Sequence, residues 1–437
     1  MLEVHHTHQT KIRNHGQVAD SLDRHGWSAS KLWNVANYHS RDAWEETGEI
    51  PDHEELKNEL KTHPKYKGLH SQSSQRVLEE LAEAFNSWYA SDDERDNPPG
   101  YRKRNYYDDH GRRVHEEHPR STVTWKQNGI RHDTKNNRVR LSKGANHKEH
   151  PKAWEYILVE YETRPDATVE NLQQVRAVYD NATERWELHL VCTHEIETPD
   201  APGAETAGID LGICNFAAVA YSTEDADLYP GNRLKQDGYY FPKEIANCDD
   251  GSGDRATRLH HKWSERRTHF FHSLAKHIVQ RCVEKGVGRI NVGDLEGVRE
   301  DETGDAKNWG RHGNLDLHGW AFDRFTRILE YKAKIKGIEV DEVSERDTST
   351  TCCVCGQEDD GKRVERGLYV CEPCDAAFNA DVNGAENIRL DVNESNSESA
   401  SSSGEDRSTG WLAQPGVYLH DLSCGFQPQT EVVDCKP

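Results

Sequence analysis

The chain has 437 residues, 34% of them hydrophobic, with 55 Lys and Arg against 77 Asp and Glu and a formal net charge of −22. That length supports two or three domains with separate cores. No apolar run approaches the ~20 residues that span a bilayer, and no basic-then-apolar leader opens the chain, so a soluble, cytoplasmic protein without a membrane partner is expected.

A uniformly acidic surface repels phosphate and argues against nucleic-acid binding at ordinary salt. At molar salt the Debye length is only ~3 Å, and acidic side chains then serve hydration. The single Met, the few lysines and the paired acids fit that second case, a composition of haloarchaeal type, for which structure should be lost at low salt. The acid is also uneven. Residues 101–160 hold fourteen Lys/Arg against eight Asp/Glu and residues 251–290 hold nine against three, whereas residues 391–437 hold two against eight. The two basic stretches are the candidate nucleic-acid contacts.

In chain order, residues 4–12 read as a polar strand. Its His5, His6 and His8 suggest a metal less readily than they suggest exposed strand histidines. A first helix contains Trp33, Val35 and Ala36. A second, over 74–89, places Leu78, Leu81, Ala82 and Phe85 on one buried face, and Asn97-Pro98-Pro99-Gly100 breaks it. Short strands follow at 121–125 and 139–141. Residues 175–179 and 186–192 form a hairpin through Asp180, Asn181 and Ala182. The Pro/Ala/Gly segment 199–204 marks a domain boundary.

Gly208-Ile209-Asp210-Leu211-Gly212 is an apolar strand holding one carboxylate, followed by a turn and a second apolar strand. A buried carboxylate is costly unless it faces a cavity and binds a cation. Ribonuclease-H-like nucleases begin this way, and so do actin-like ATPases. A long basic helix at about 264–285 leads into a strand at 287–292 and then Gly293-Asp294-Leu295-Glu296-Gly297. There Asp294 reads as a turn cap and Glu296 as a candidate ligand.

Of eleven cysteines, Cys352 and Cys355 form one C-x-x-C and Cys371 and Cys374 another, fifteen residues apart. Two such knuckles complete a closed tetrahedral thiolate shell, a structural Zn2+ site in a reducing compartment. Cys353 is a spare thiol. Asp381 follows Cys374 by seven residues and reads as the N-cap of a short helix or as a third ligand. From Asn393 to Ser403 the composition is that of a disordered segment, while the residues from Trp411 onward regain aromatics that could dock. Asp210, Glu296 and Asp381 together would supply hard oxygen ligands for Mg2+, two ions in the arrangement that hydrolyses phosphodiesters.

Taken together, Thr348-Ser349-Thr350-Thr351-Cys352, the two knuckles, Asp381-Val382-Asn383-Gly384-Ala385-Glu386-Asn387-Ile388, the Asp210 and Asp294-Leu295-Glu296 segments, Leu32-Trp33-Asn34, Ser71-Gln72-Ser73-Ser74-Gln75 and Asn97-Pro98-Pro99-Gly100-Tyr101 resemble the TnpB proteins of insertion sequences. These proteins carry the transposase label and are relatives of type V CRISPR effectors. The one departure within the motifs is Asp375, where the family usually has Gly.

The resemblance implies an α/β plus β fold: a RuvC-like (ribonuclease-H-like) mixed sheet with an inserted four-cysteine zinc ribbon, preceded by a wedge-like β-barrel with a helical insertion. The implied domains are 1–15 with 96–199 for the barrel, 16–95 for helical recognition, 204–345 with 376–390 for the nuclease, 346–375 for the ribbon and 391–437 for an acidic, mostly disordered tail. It implies a metal-dependent, RNA-guided DNA endonuclease of a transposable element, with Asp210, Glu296 and Asp381 catalytic. The partners would be a guide RNA from the transposon end and target double-stranded DNA, with base pairing carrying specificity. The alternatives are a catalytically silent nucleic-acid-binding repressor and an unguided transposase.

Overall fold

A computed structural model of the protein describes residues 2–91, 97–148, 154–163, 167, 169–196, 199–251, 253–294, 322–345, 347–358, 363–365, 367–390 and 409–429. The chain divides into two compact units, Met1–Ile196 and Glu197–Pro437.

In the first unit the polar N-terminal run is β1 (Leu2–Ile12), followed by α1 (His15–Thr47), α2 (His53–Leu60) and α3 (Ser71–Tyr89). α1 stops at Gly48, whose φ of +76° suits glycine. α2 starts on a capping box, with the Asp52 carboxylate accepting from the Glu54 and Glu55 amides and Glu55 reaching back to the Asp52 amide. Of the face read in α3, Leu78, Leu81 and Phe85 are buried and Ala82 is half-buried, while Val77 is buried beside them.

Two of the quoted motifs turn out to be one device. The Pro98-Pro99 turn has few N–H groups of its own, so its carbonyls are tied from α1. Trp33 Nε1 donates to the Gly100 carbonyl (2.9 Å), Asn37 Nδ2 donates to that of Pro99 (2.8 Å), and Asn34 exchanges two hydrogen bonds with the Arg102 backbone. The Arg102 guanidinium lies 3.6 Å over the Trp33 ring.

Next come a hairpin of β2 (Arg104–Tyr107) and β3 (Arg113–Glu117), then β4 (Val123–Lys126), β5 (Ile130–Asp133), β6 (Arg138–Ser142), β7 (Tyr156–Glu162), β8 (Leu172–Asp180) and β9 (Arg185–Ile196). With β1 these last six make a seven-stranded half-barrel sheet of order β4-β8-β9-β1-β7-β6-β5. The expected hairpin is β8–β9. Tyr179 opposes Trp186, and the Asp180 carboxylate accepts from the Ala182 amide (2.9 Å). Inward residues such as Trp125, Val159 and Leu188 pack with Leu22, Leu32, Leu78 and Phe85 of the helices in one core.

The second unit opens with β10 (Glu205–Leu211), β11 (Asn215–Tyr221), β12 (Asp225–Pro230), α4 (Asn232–Ala246) and α5 (Asp254–Glu284). It continues with β13 (Val287–Asp294), α6 (Phe322–Lys334) and β14 (Glu339–Ser344). Three short strands, β15 (Arg363–Glu365), β16 (Leu368–Cys371) and β17 (Ala376–Asn379), form their own sheet ahead of α7 (Ala380–Leu390). α8 (Gly410–Ala413), β18 (Gly416–Asp421) and β19 (Gly425–Pro428) follow. The main sheet is mixed, with order β14-β13-β10-β11-β12-β18-β19. β10 sits centrally, antiparallel to β11 and parallel to β13. One face packs on α5 and α6 through Phe216, Phe270, Phe271 and Phe325, and α7 packs against β10 and β11.

The basic helix α5 begins ten residues earlier than the sequence pattern suggested. Part of the acidic tail is ordered: β18 pairs in parallel with β12, Tyr418 stacks on Tyr229, and Leu412 and Phe426 are buried. Residues 391–408 and 430–437 lie outside the described residues. No helix among the described residues is long and apolar enough to cross a membrane.

Candidate active site

Strand alternation in Gly208-Ile209-Asp210-Leu211 sends Ile209 and Leu211 into the α5/α6 core and leaves Gly208 and Asp210 on the face under α7. The approach there is too close for side chains. A Cβ on Gly208 would stand 2.1 Å from the Ala385 carbonyl, and one on Gly384 would stand 2.8 Å from Asp210 Oδ2. The two glycines therefore let α7 lie directly on the half-buried Asp210 carboxylate.

Asp381 lies in the first turn of that helix, one turn before Gly384 and on the same side. The reading of Asp381 as an N-cap is corrected. Asn379 Oδ1 is the cap, accepting from the amides of Asp381 (3.0 Å) and Val382 (3.1 Å). Asp381 Oδ2 instead accepts from Asn215 Nδ2 (2.8 Å) at the start of β11. Asp210 and Asp381 thus face the same seam between β10 and α7. Glu296 lies outside the described residues. The strand that leads to it, β13, ends at Asp294, which stands opposite Ser344 in the ladder; the turn that Asp294 was expected to cap lies outside the described residues.

Glu345, which sequence reasoning missed, directly follows β14. Its carboxyl lies over Gly293, where a Cβ would meet Oε1 at 2.2 Å. Asn291, two residues earlier on the same face, bonds the C-terminal carbonyls of α7, so Glu345 shares the Asp210 face. Burial, then the nearby Asp294 charge, pushes its carboxyl up to about 8. Both favour its protonated form, an acid held beside the end of the sheet. The only sequence signal was an acid just past a parallel strand.

The motif that begins at Asp381 has a geometric reason. Asn383 Nδ2 donates to the Thr351 carbonyl (2.8 Å) and Asn383 Oδ1 accepts from the Cys353 amide (3.0 Å). Asn387 Nδ2 donates to the carbonyls of Thr348 and Thr351, both at 2.8 Å. Two asparagines one turn apart stitch the lead-in of the first knuckle to α7. Glu386, 4% exposed, is held by a two-point bridge to Arg389 (2.7 and 2.6 Å).

Cys352, Cys355, Cys371 and Cys374 converge. The Cys352–Cys374 sulfurs are 3.8 Å apart and the Cys355–Cys371 sulfurs 3.6 Å. A tetrahedral shell with Zn–S of ~2.3 Å has edges of ~3.8 Å, so the four sulfurs fit such an ion. Cys353 is outside the group. The turn at Asp375, where Gly was expected, adopts φ +45°, a conformation that Asp tolerates better than most residues. The departure changes a turn residue and leaves the sulfurs in place.

The basic stretches are less available than their composition suggested. Lys103, Arg112, Arg113, Arg120, Lys126 and Arg138 are each paired with a carboxylate. On α5, Arg266 and Arg281 are bound to Asp237 and Asp227, while Arg258, Lys262 and Lys276 are exposed. A cavity of about 270 Å³ in the first unit is lined by Lys61, Lys67, Lys143, Lys148, His70 and Tyr66 among others. Lys61 and Lys67 lie outside both basic stretches and reach the cradle only through folding.

Two family models match the second unit and the strand leading into it: the IS605 OrfB model, described as "Probable transposase", over residues 189–299, and the "Cas12f1-like, TNB domain" model over residues 322–388. The TnpB-like protein ORF457 of Acidianus two-tailed virus is 31% identical over 44% of this chain and 43% of its own length. The CRISPR-associated endodeoxyribonuclease Cas12f1 of Sulfoacidibacillus thermotolerans is 24% identical over 49% of this chain and 52% of its own. The chain thus spans about half the length of these relatives. A cryo-EM structure of a Cas12f1-sgRNA-target DNA complex shares the fold at a TM-score of 0.55 and 13% identity, covering 85% of this chain and 82% of that one. The two domain models match in sequence order, and over about half of its length the chain is similar to TnpB-like and Cas12f1 proteins.

Proposed function

We propose that the protein is an RNA-guided DNA endonuclease of a transposable element, with a RuvC-like catalytic sheet in its second unit. The observation that carries this reading is the shared seam of Asp210 and Asp381: a central-strand carboxylate and a helix-start carboxylate, 171 residues apart in the chain, on one face of a mixed sheet. The order of the motifs and the TnpB-like and Cas12f1 relatives support it.

The residues have distinct tasks. Asp210 and Asp381 offer hard oxygen donors suited to Mg2+, and Glu296 is the proposed third. When bound, a pair of Mg2+ ions would supply an activated water and charge neutralisation at the scissile phosphate. Asn215 orients Asp381, and Asn379 holds the first turn that presents it. The four cysteines would hold a structural Zn2+ that fixes the lead-in strand to α7, and through Asn383 and Asn387 the start of α7 itself. The lysine cradle at Lys61, Lys67, Lys143 and Lys148 suits backbone phosphate, and the exposed cations of α5 suit a second strand contact. The acidity of the remaining surface fits work at high salt.

The test is cleavage of target DNA by the protein purified with its copurifying RNA, in Mg2+ and molar salt. Asp210→Ala should abolish cutting and keep RNA binding. A wild-type complex that binds guide and target yet never cuts would make the protein a binding module, and strand joining without RNA would make it a transposase.

A further inference from the structure

A second cluster of metal-type ligands lies in the first unit, away from any residue assigned above. β1 pairs with β9 so that Val4 opposes His194, His6 opposes Cys192 and His8 opposes Leu190. Residues opposed in an antiparallel ladder share a face, as do residues two apart. His6, His8 and His194 are therefore on one face, the one that carries Thr10, Ile12, Leu188 and Leu190 into the core. Toward the Val4 end the apolar row gives way to imidazoles. One ligand nitrogen from each of the three lies within 4.8 Å of the others. The rings meet edge to face, with centroids 5.6, 6.0 and 6.4 Å apart. His5 is on the other face, bonded to Thr193 Oγ1 (3.2 Å).

We propose that His6, His8 and His194 form a binding site for a late first-row divalent ion such as Zn2+, which clips the N-terminal strand to β9. Imidazole suits these ions, and three neutral nitrogens at ~2.0–2.1 Å leave one position for water. From the present spacing each nitrogen moves inward by less than ~1 Å, within reach of side-chain rotation. His6 is exposed and gives the ion a way in, while His8 and His194 are half-buried and gain most from a shared charge partner. Cys192 lies on the same face, but its sulfur is outside the group. Because β1 lies between β9 and β7 in the sheet, the ion would hold the sheet together at its N-terminal strand.

Equilibrium dialysis of the full chain against Zn2+ in high salt tests this by difference. Wild type should hold one ion more per chain than the double variant His8→Ala/His194→Ala, whatever the four cysteines retain. His5→Ala, on the opposite face, should match wild type. With Co2+ in place of Zn2+, the absorption lost in the double variant should lack thiolate charge-transfer bands. Circular dichroism checks that the variants fold. Equal metal content in wild type and double variant, or a lost signal with thiolate character, overturns the proposal.

Discussion

In the unit Met1–Ile196 the fully buried polar side chains among the described residues carry no charge: Thr10, Ser30, Asn37, Ser40, Ser73, Ser74, Thr124, Thr193 and a neutral His25. In the unit Glu197–Pro437 they include Asp227, Asp237 and Glu386, each clasped by an arginine, namely Arg281, Arg266 and Arg389. The first unit hides neutral polar groups, most of them hydrogen-bonded; the second hides ions that are tolerable only in pairs. The second should therefore respond to the loss of a partner.

The largest effect is expected at Arg281. Asp227 is 1% exposed and accepts from Arg281 Nε (2.9 Å) and the Tyr221 hydroxyl (2.9 Å). Arg281→Met strands a buried carboxylate, and removing one partner of such a pair costs ~3–5 kcal/mol. Adding Asp227→Asn should restore much of it, because the uncompensated charge is then gone. Urea denaturation of the single and double variants measures both. A cost under ~1 kcal/mol for Arg281→Met would erase the contrast between the units.

Next is the proton response of the first unit. Burial holds the His25 imidazole down at about 4, opposed by the Ser21 carbonyl at 2.7 Å and helped by the neighbouring His147. The unfolded imidazole titrates at ~6.5. Between those values the unfolded chain binds a proton that the native chain refuses. The stability from this group is complete above pH ~6.5 and is lost as pH falls toward 4, ~3 kcal/mol in all. His25→Gln should flatten that slope in denaturation curves recorded at pH 7.5 and 5. An unchanged slope would assign acid sensitivity to the other histidines lowered first by burial, His15, His70, His132, His147 and His189 in this unit and His277 and His420 in the other.

How far such features could be read from residues alone depended on whether the chemistry is local. The knuckles were legible because a metal shell fixes cysteine spacing within a few residues, and Asp210 because one acid interrupts an apolar strand. The hairpin at Asp180 and the buried face of α3 were legible for the same reason. His194 was not, since only the β1–β9 register brings it to His8 across 186 residues. Lys61 and Lys67 were invisible because their cradle is assembled from distant turns, and Glu345 because a strand-end acid is commonplace. In the tail the aromatics from Trp411 onward marked a segment able to dock, but only folding shows that it extends the sheet beside β12. α7 shows the limit most clearly. Asn, Gly and Asn make a poor helix by propensity, and its stability comes from bonds to the knuckle and from contact with β10.

That contact gives the third prediction, inside the second unit. Gly384→Ala places a methyl 2.8 Å from Asp210 Oδ2, inside van der Waals contact. The carboxylate must shift by several tenths of an ångström, while the Arg281 and Arg389 pairs are untouched. Misplacement of a catalytic group by ~1 Å can cost ~100-fold in rate. Cleavage by Gly384→Ala should fall by that order with RNA binding and melting temperature nearly unchanged. Full activity would mean Asp210 does not need its present position under α7.

The smallest effect is at Asn379. Its side chain caps α7, and replacing such a cap with Ala costs ~1 kcal/mol. Asn379→Ala should lower stability by that amount, and Asn379→Asp, which keeps an acceptor at the same place, should restore it. The two variants also separate capping from catalysis. Asp381 is two residues on and keeps its bond from Asn215, so cutting at a temperature well below melting should be retained in both. If Asn379→Ala loses cutting while remaining folded, the first turn of α7 positions Asp381 more tightly than its bond to Asn215 does, and the cap belongs to the catalytic arrangement as well as to the helix.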